Sequence, residues 1–265
     1  MRTVLIFFLL FNFKAYAQQK DLAEVYLISD VKEYKAGEPF KLAIKFVLEP
    51  GWHIYWRYPG KIGLPTSFEV KPIDGVEISE FKFPIPKEFK QAKEEIAYGY
   101  ENEVAFLAEV FPNEKLDKNL DFNIDAKWLF CSSSMCVPGQ KKLSLLIPPA
   151  KNSILISQDR FINIEKNLPI NIEDERSFVR LSSYKERNNS IDIKLEWRQR
   201  PDDLKILFSP TRRVVVNKIK SSFDGLISNH QIEISKSQDL KEPKFLLVSY
   251  TIDNQKRYSE MKIEN

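Results

Sequence analysis

The chain has 265 residues but only two cysteines, Cys131 and Cys136, and only two histidines, His53 and His230. Beyond residue 149 the chain carries no cysteine, His230 alone, and no cluster of residue types used in catalysis. Any chemistry readable in the sequence therefore sits before residue 150. Long hydrophobic runs are missing beyond residue 17. The apolar stretches there, such as Leu145-Leu146-Ile147 and Phe245-Leu246-Leu247-Val248, are strand-sized, far short of the roughly 20 residues that span a bilayer. An excess of one charge is also missing, with 40 Lys and Arg against 37 Asp and Glu. Interspersed charge near neutrality excludes nucleic acid or an anionic membrane surface as the main partner. Glycine is scarce at eight residues, and Gly51, Gly60 and Gly63 crowd into one short stretch.

The first residues set the expected compartment. Met1-Arg2 supplies a positive start, Val4 to Phe13 an apolar run, and Ala15-Tyr16-Ala17 small residues before Gln18. This three-part pattern predicts a secretory signal peptide over 1–17 and export to the periplasm. No cysteine follows the cleavage point, so lipid anchoring there is not indicated. Removing Arg2 and Lys14 lowers the net charge from +3 to +1. The remaining ~248 residues suit one large or two ordinary domains.

Period-two alternation dominates the chain after residue 17. Phe122-Asn123-Ile124-Asp125-Ala126-Lys127-Trp128 and Ile191-Asp192-Ile193-Lys194-Leu195-Glu196-Trp197 each place apolar side chains on one strand face. Further strands are predicted at Glu24–Ile28, Phe40–Leu48, Val104–Phe111, Leu143–Ile147, Leu204–Phe208, Val214–Ile219, Gln231–Ile234 and Lys244–Ile252. Turn signals stand at Lys35-Ala36-Gly37, Glu49-Pro50-Gly51, Val137-Pro138-Gly139 and Asp224-Gly225. Many short, punctuated strands read as an all-β sandwich rather than βαβ units. Pro148-Pro149-Ala150 predicts a boundary between a domain over 18–149 and a smaller β-rich domain over 150–265. Ile154, Leu155, Phe161, Ile162 and Ile164 predict one linking helix over 153–166, closed by Leu168-Pro169.

The segment Trp128-Leu129-Phe130-Cys131-Ser132-Ser133-Ser134-Met135-Cys136-Val137-Pro138-Gly139 holds both cysteines. In an exported protein such a pair is expected to be oxidised at least part of the time. A loop this small stabilises by roughly 2 kcal/mol, against nearly 5 for a loop of about 100 residues. It restrains one hairpin tip, between a strand ending near Phe130 and one starting near Leu143. The small polar serines leave the sulfurs approachable. Cys-x-x-Cys opening a helix, the thioredoxin-type arrangement, is excluded by the longer spacing and the strand–turn–strand setting. Three readings remain open: an exchange site attacked by a partner thiolate, a structural staple in a non-catalytic binding module, and a Cu(I) site using Cys131, Cys136 and Met135.

Two more stretches bear on the pair. Gly51-Trp52-His53-Ile54-Tyr55-Trp56-Arg57-Tyr58-Pro59-Gly60 reads as a core strand leaving by a Pro-Gly turn, or as an aromatic wall beside the cysteines. His53 could exchange protons there, although a lone histidine in an aromatic strand is more often structural. Tyr98-Gly99-Tyr100 reads as an aromatic turn, or as a loop against the cysteine hairpin.

Together these stretches resemble the N-terminal periplasmic domain of the disulfide reductase DsbD, and more closely its ScsB-type relatives. The resemblance rests on Gly51 to Gly60, Gly63-Leu64-Pro65, Tyr98-Gly99, Trp128-Leu129, Cys131, Cys136, Pro138 and Gly139, and covers about residues 22–148. It implies an immunoglobulin-like β-sandwich in which Cys131 and Cys136 exchange electrons and Cys131 bonds the partner. It places Tyr55 in the aromatic wall, and Glu95, Ile96, Ala97 and Tyr98 in a loop capping the disulfide. The partners implied are a thioredoxin-like protein or domain, a membrane electron conduit on a separate chain, and periplasmic thiol proteins such as isomerases and cytochrome c maturation factors. Copper tolerance is implied by the ScsB side, and no cofactor is. The cysteine spacing differs by one residue from each relative, and the family's bulky shielding aromatic falls on Ala97.

Overall fold

The computed structural model describes residues 22–60, 62–90, 95–187, 189–209, 216–235 and 244–263. The predicted signal peptide lies outside them. Strands are numbered in chain order. One sheet has the order β1 (Ala23–Ser29), β3 (Phe40–Leu48), β9 (Glu103–Pro112), β6 (Val76–Ile78). The facing sheet runs β11 (Cys136–Ile147), β10 (Leu120–Cys131), β4 (His53–Gly60), β8 (Ile96–Glu101), β7 (Lys87–Lys90), with β5 (Ser67–Val70) also paired to β10. This is the expected immunoglobulin-like all-β sandwich.

The alternation in β10 explains the layering. Phe122, Ile124, Ala126, Trp128 and Phe130 enter the core between the sheets, while Asp121 and Lys127 stay exposed. A one-residue slip would turn every one of these side chains to the wrong face. The core is aromatic: Phe46 meets Trp128 edge-on at 4.9 Å and Phe106 at 5.8 Å between ring centroids. Trp56 is wholly buried within it.

Past the expected boundary at 149/150 the chain first returns to this sandwich. β12 (Ile154–Leu155) pairs with β2 (Val31–Glu33), and helix α1 (Gln158–Lys166) buries Phe161 and Ile164 against Ala43 and Leu107. The helix starts later than the predicted 153 because Ile154 and Leu155 are held as strand and Ser157 adopts φ +54°.

The rest of the chain builds a second pair of sheets. One has the order β13 (Ile170–Asn171), β20 (Gln255–Ile263), β19 (Lys244–Ile252), β16 (Asp203–Ser209); the other β14 (Val179–Arg187), β15 (Ser190–Trp197), β18 (Ile227–Ile234), β17 (Val216–Asp224). They enclose their own core, including Ile193, Trp197, Phe208, Val248 and Tyr250. The predicted strand start at Val214 lies outside the described residues, within which β17 runs from Val216.

The two units meet beside β4. The Arg57 guanidinium lies 4.5 Å from the Phe83 ring centre and 3.7 Å from that of Phe245, and 3.6 Å from the Glu260 carboxylate. The Val216 amide donates to the Tyr58 hydroxyl at 3.2 Å, Lys262 pairs with Glu80 at 2.6 Å, and Lys205 pairs with Glu88. Leu247 from the second unit is buried in the core of the first. Among the described residues, no helix is long and apolar enough to cross a membrane.

Candidate functional site

The outgoing cysteine strand begins at Cys136, seven residues before the predicted Leu143, and Val137-Pro138-Gly139 is strand rather than turn. β11 lies at the edge of its sheet, where a proline costs no ladder hydrogen bond. Gly139 is required there because the Trp128 indole lies across it. A Cβ at Gly139 would sit 2.2 Å from Trp128 Nε1.

Cys131 and Cys136 therefore face each other across a hairpin, Cα atoms 4.1 Å apart, joined by a disulfide. The tip is ordered by Ser132. Its amide donates to the Met135 carbonyl at 2.9 Å, and its Oγ accepts from the amides of Ser134 and Met135 at 3.3 Å each. Met135 projects outward, 57% exposed.

The odd residues of β10 near its end face away from the sandwich core. There Cys131 joins Tyr55 and Ala97 in a small apolar cluster, with Leu129 and Ile62 packed against it. Cys131 is completely buried, whereas Cys136 is exposed. Tyr55, from β4, is buried because the following loop passes over its ring. Gly63, at φ +97°, permits that approach: a Cβ there would lie 2.5 Å from Tyr55 Cε1. Thr66 Oγ1 donates to the Tyr55 carbonyl at 2.7 Å and ties the loop down.

Residues 96–98 form strand β8, paired with β4 on one side and β7 on the other, in place of the expected capping loop or turn. Gly99 forces this arrangement, since a Cβ there would lie 2.0 Å from the Ile54 carbonyl oxygen. Strand alternation brings Ala97 to the cysteines and sends Ile96 and Tyr98 to the other face. Ile96 is exposed, and Tyr98 stacks at 6.5 Å on Tyr58, toward the second unit. Glu95 immediately precedes the strand, beside Ile96.

Across β4, His53 stands directly opposite Cys131 on one side and Glu101 on the other. Its ring stacks on Phe89 of β7 at 4.7 Å and meets Tyr55 edge-on at 5.3 Å. Burial holds the His53 pKa below its ordinary value, opposed by the Glu101 carboxylate. Phe89 had no signal in the sequence. It reaches the site only through the β7–β8 pairing. Among the described residues, no group of three or more His, Cys, Asp or Glu side chains could hold a metal.

An immunoglobulin-like sandwich with a half-exposed hairpin disulfide on its outer face supports a thiol–disulfide exchange module. Residues 21–148 match the family described as thiol:disulfide interchange protein DsbD, N-terminal. The solved N-terminal periplasmic domain of ScsB from Proteus mirabilis aligns over 94% of this chain and 96% of its own, at 18% identity and TM-score 0.60. It shares the fold through both β units. The reduced DsbD N-terminal domain of Neisseria meningitidis covers 48% of this chain and 90% of its own, at 14% identity and TM-score 0.30. No curated protein matches the chain in sequence.

Proposed function

We propose that the protein is a periplasmic module relaying reducing equivalents through Cys131 and Cys136, from a thioredoxin-like or membrane-bound donor to periplasmic thiol proteins. The observation that carries this reading is the asymmetry of the disulfide: one cysteine is open to solvent and the other is sealed. A staple needs neither end open. An exchange site needs one sulfur that a partner thiolate can reach and one that can leave. Burial supports Cys136 as the sulfur attacked and Cys131 as the leaving sulfur. The resemblance alone assigned the intermolecular bond to Cys131.

The route is then ordered. A partner thiolate attacks Cys136 Sγ and forms a mixed disulfide, the Cys131–Cys136 bond breaks, and its electron pair goes to Cys131. The partner's second thiolate next attacks the mixed disulfide and leaves both cysteines reduced. Trapping tests this order. Cys131→Ser accumulates reductant-sensitive adducts through Cys136 with thioredoxin-like proteins in periplasmic extract, and Cys136→Ser accumulates far fewer. If neither variant forms such an adduct, the exchange reading falls and a binding module with a structural disulfide replaces it.

A further inference from the structure

The strand pairing sets four residues in one row across the outer face of the sheet: Cys136, Cys131, His53, Glu101. Directly opposed residues in antiparallel strands hold their Cβ atoms roughly 4.5–5.5 Å apart and on the same face. His53 is thus the titratable residue directly opposite Cys131 in the row, on the side away from Cys136. We propose that His53 is the proton-handling group for Cys131, supplying a proton to the leaving sulfur as the disulfide opens and recovering it when the disulfide reforms. This rests on the exchange reading given above, and it adds the acid–base partner which that reading lacks.

The need for such a group comes from burial. Cys131 has no exposed surface, and its neighbours Tyr55, Ala97, Leu129 and Ile62 form an apolar cluster. A thiolate released there loses its hydration, which is costly unless a charge or hydrogen bond compensates. Cys136 has no such need, being exposed. His53 is itself only 8% exposed, so charge on either residue is poorly hydrated. Phe89 and Tyr55 hold the ring from two sides.

Among the described residues, the charged groups facing His53 are few. Glu101 stands opposite it on β8, and the Lys87 ammonium of β7 pairs with that carboxylate at 2.6 Å. Both reach solvent, with side chains 43% and 60% exposed. From β4 itself comes the Tyr55 phenol, and from β10 the Cys131 sulfur. Protons therefore have a path from solvent past Glu101 to the imidazole. In the disulfide state burial favours neutral imidazole. A new anion on Cys131, the next residue in the row, favours the imidazolium instead.

Atoms and electrons balance in the opening step. The partner thiolate bonds to Cys136 Sγ, the disulfide breaks, and its electron pair settles on Cys131 Sγ. As charge develops on that sulfur the His53 imidazole takes up a proton from solvent and passes it to Cys131 Sγ, which leaves the thiol protonated and the ring neutral again. The partner dithiol supplies both electrons and leaves as a disulfide.

The test needs no partner. Titrate the Cys131 thiol in Cys136→Ser by the ultraviolet absorbance of its thiolate, then repeat with His53→Phe and His53→Gln added. Phe keeps the stack on Phe89 without a proton to exchange, and Gln keeps a donor that does not titrate. The expected result is that His53→Phe moves the thiol titration upward by about one unit, a tenfold loss of thiolate at a given pH. Gln restores most of that shift but removes the second inflection due to the imidazole. Superimposable curves for all three proteins would overturn the proposal. Failure of the exchange reading looks different, because the His53–Cys131 coupling would persist while trapping gave no adduct.

Discussion

Consider removing the cysteines one at a time and then together. The hairpin loop they close spans six residues, so its loss costs about 2 kcal/mol of chain entropy. Both strands keep their pairing from Leu120–Ile147 down to Phe130–Val137 without it. Cys136 is exposed, so Cys136→Ser costs that loop contribution and little else. Cys131 is wholly buried among Tyr55, Ala97, Leu129 and Ile62. A serine hydroxyl placed there adds about 1–3 kcal/mol for an unsatisfied polar group. Cys131→Ser therefore costs about 3–5 kcal/mol, while Cys131→Ala with Cys136→Ser costs about 2, because the loop contribution is lost only once. Urea denaturation reads these directly. With a slope of roughly 2 kcal/mol per molar, the midpoints fall by about 1 M for Cys136→Ser and about 2 M for Cys131→Ser. All variants retain a cooperative transition, since a domain commands about 5–15 kcal/mol. Equal costs for the two serine variants would refute the burial argument. Loss of cooperative unfolding in Cys136→Ser would show that the disulfide is a staple.

Gly139→Val drives a side chain into the Trp128 indole. It should cost about 1–3 kcal/mol and change the near-ultraviolet circular dichroism of the aromatic core; an unaltered spectrum and midpoint would refute the contact. In the second unit, burial lowers the His230 pKa from 6.5 to about 4. Folding thus favours the neutral ring: its contribution is complete above pH 6.5 and disappears as pH falls toward 4, about 3 kcal/mol in all. Denaturation at several pH values should show this loss, and His230→Gln should flatten it; equal pH slopes would count against it.

How much was legible in the sequence depended on how unlike the two faces of each strand are. β10 could be read to within a few residues because its core face is apolar and its outer face polar. β11 could not: apart from Leu143 and Ile147 it is largely open on both faces, so Pro138 and Gly139 dominated the local signal. β8 was hidden similarly, since Ala97 and Gly99 are small for reasons set by β4 crossing beside them. The cysteine pair announced itself by isolation and spacing. Which cysteine is sealed did not, because the sealing residues Tyr55 and Ala97 arrive from strands remote in sequence. The same holds for the placing of His53 beside Cys131, a matter of register rather than of motif.

The Arg57 junction bears on how the molecule can be dissected. Pro148-Pro149 invites truncation, yet a fragment ending there would keep Arg57 and Phe83 while discarding Phe245 and Glu260. It would also lose α1 and so uncover Ala43 and Leu107. Arg57 and Tyr58 lie two and three residues along the strand from Tyr55, which seals the buried cysteine. An isolated first unit would thus present a sticky, newly hydrated flank next to the chemistry under measurement. Redox behaviour recorded on such a fragment would describe that damaged flank as much as the disulfide, and the smallest faithful specimen is the two-unit chain.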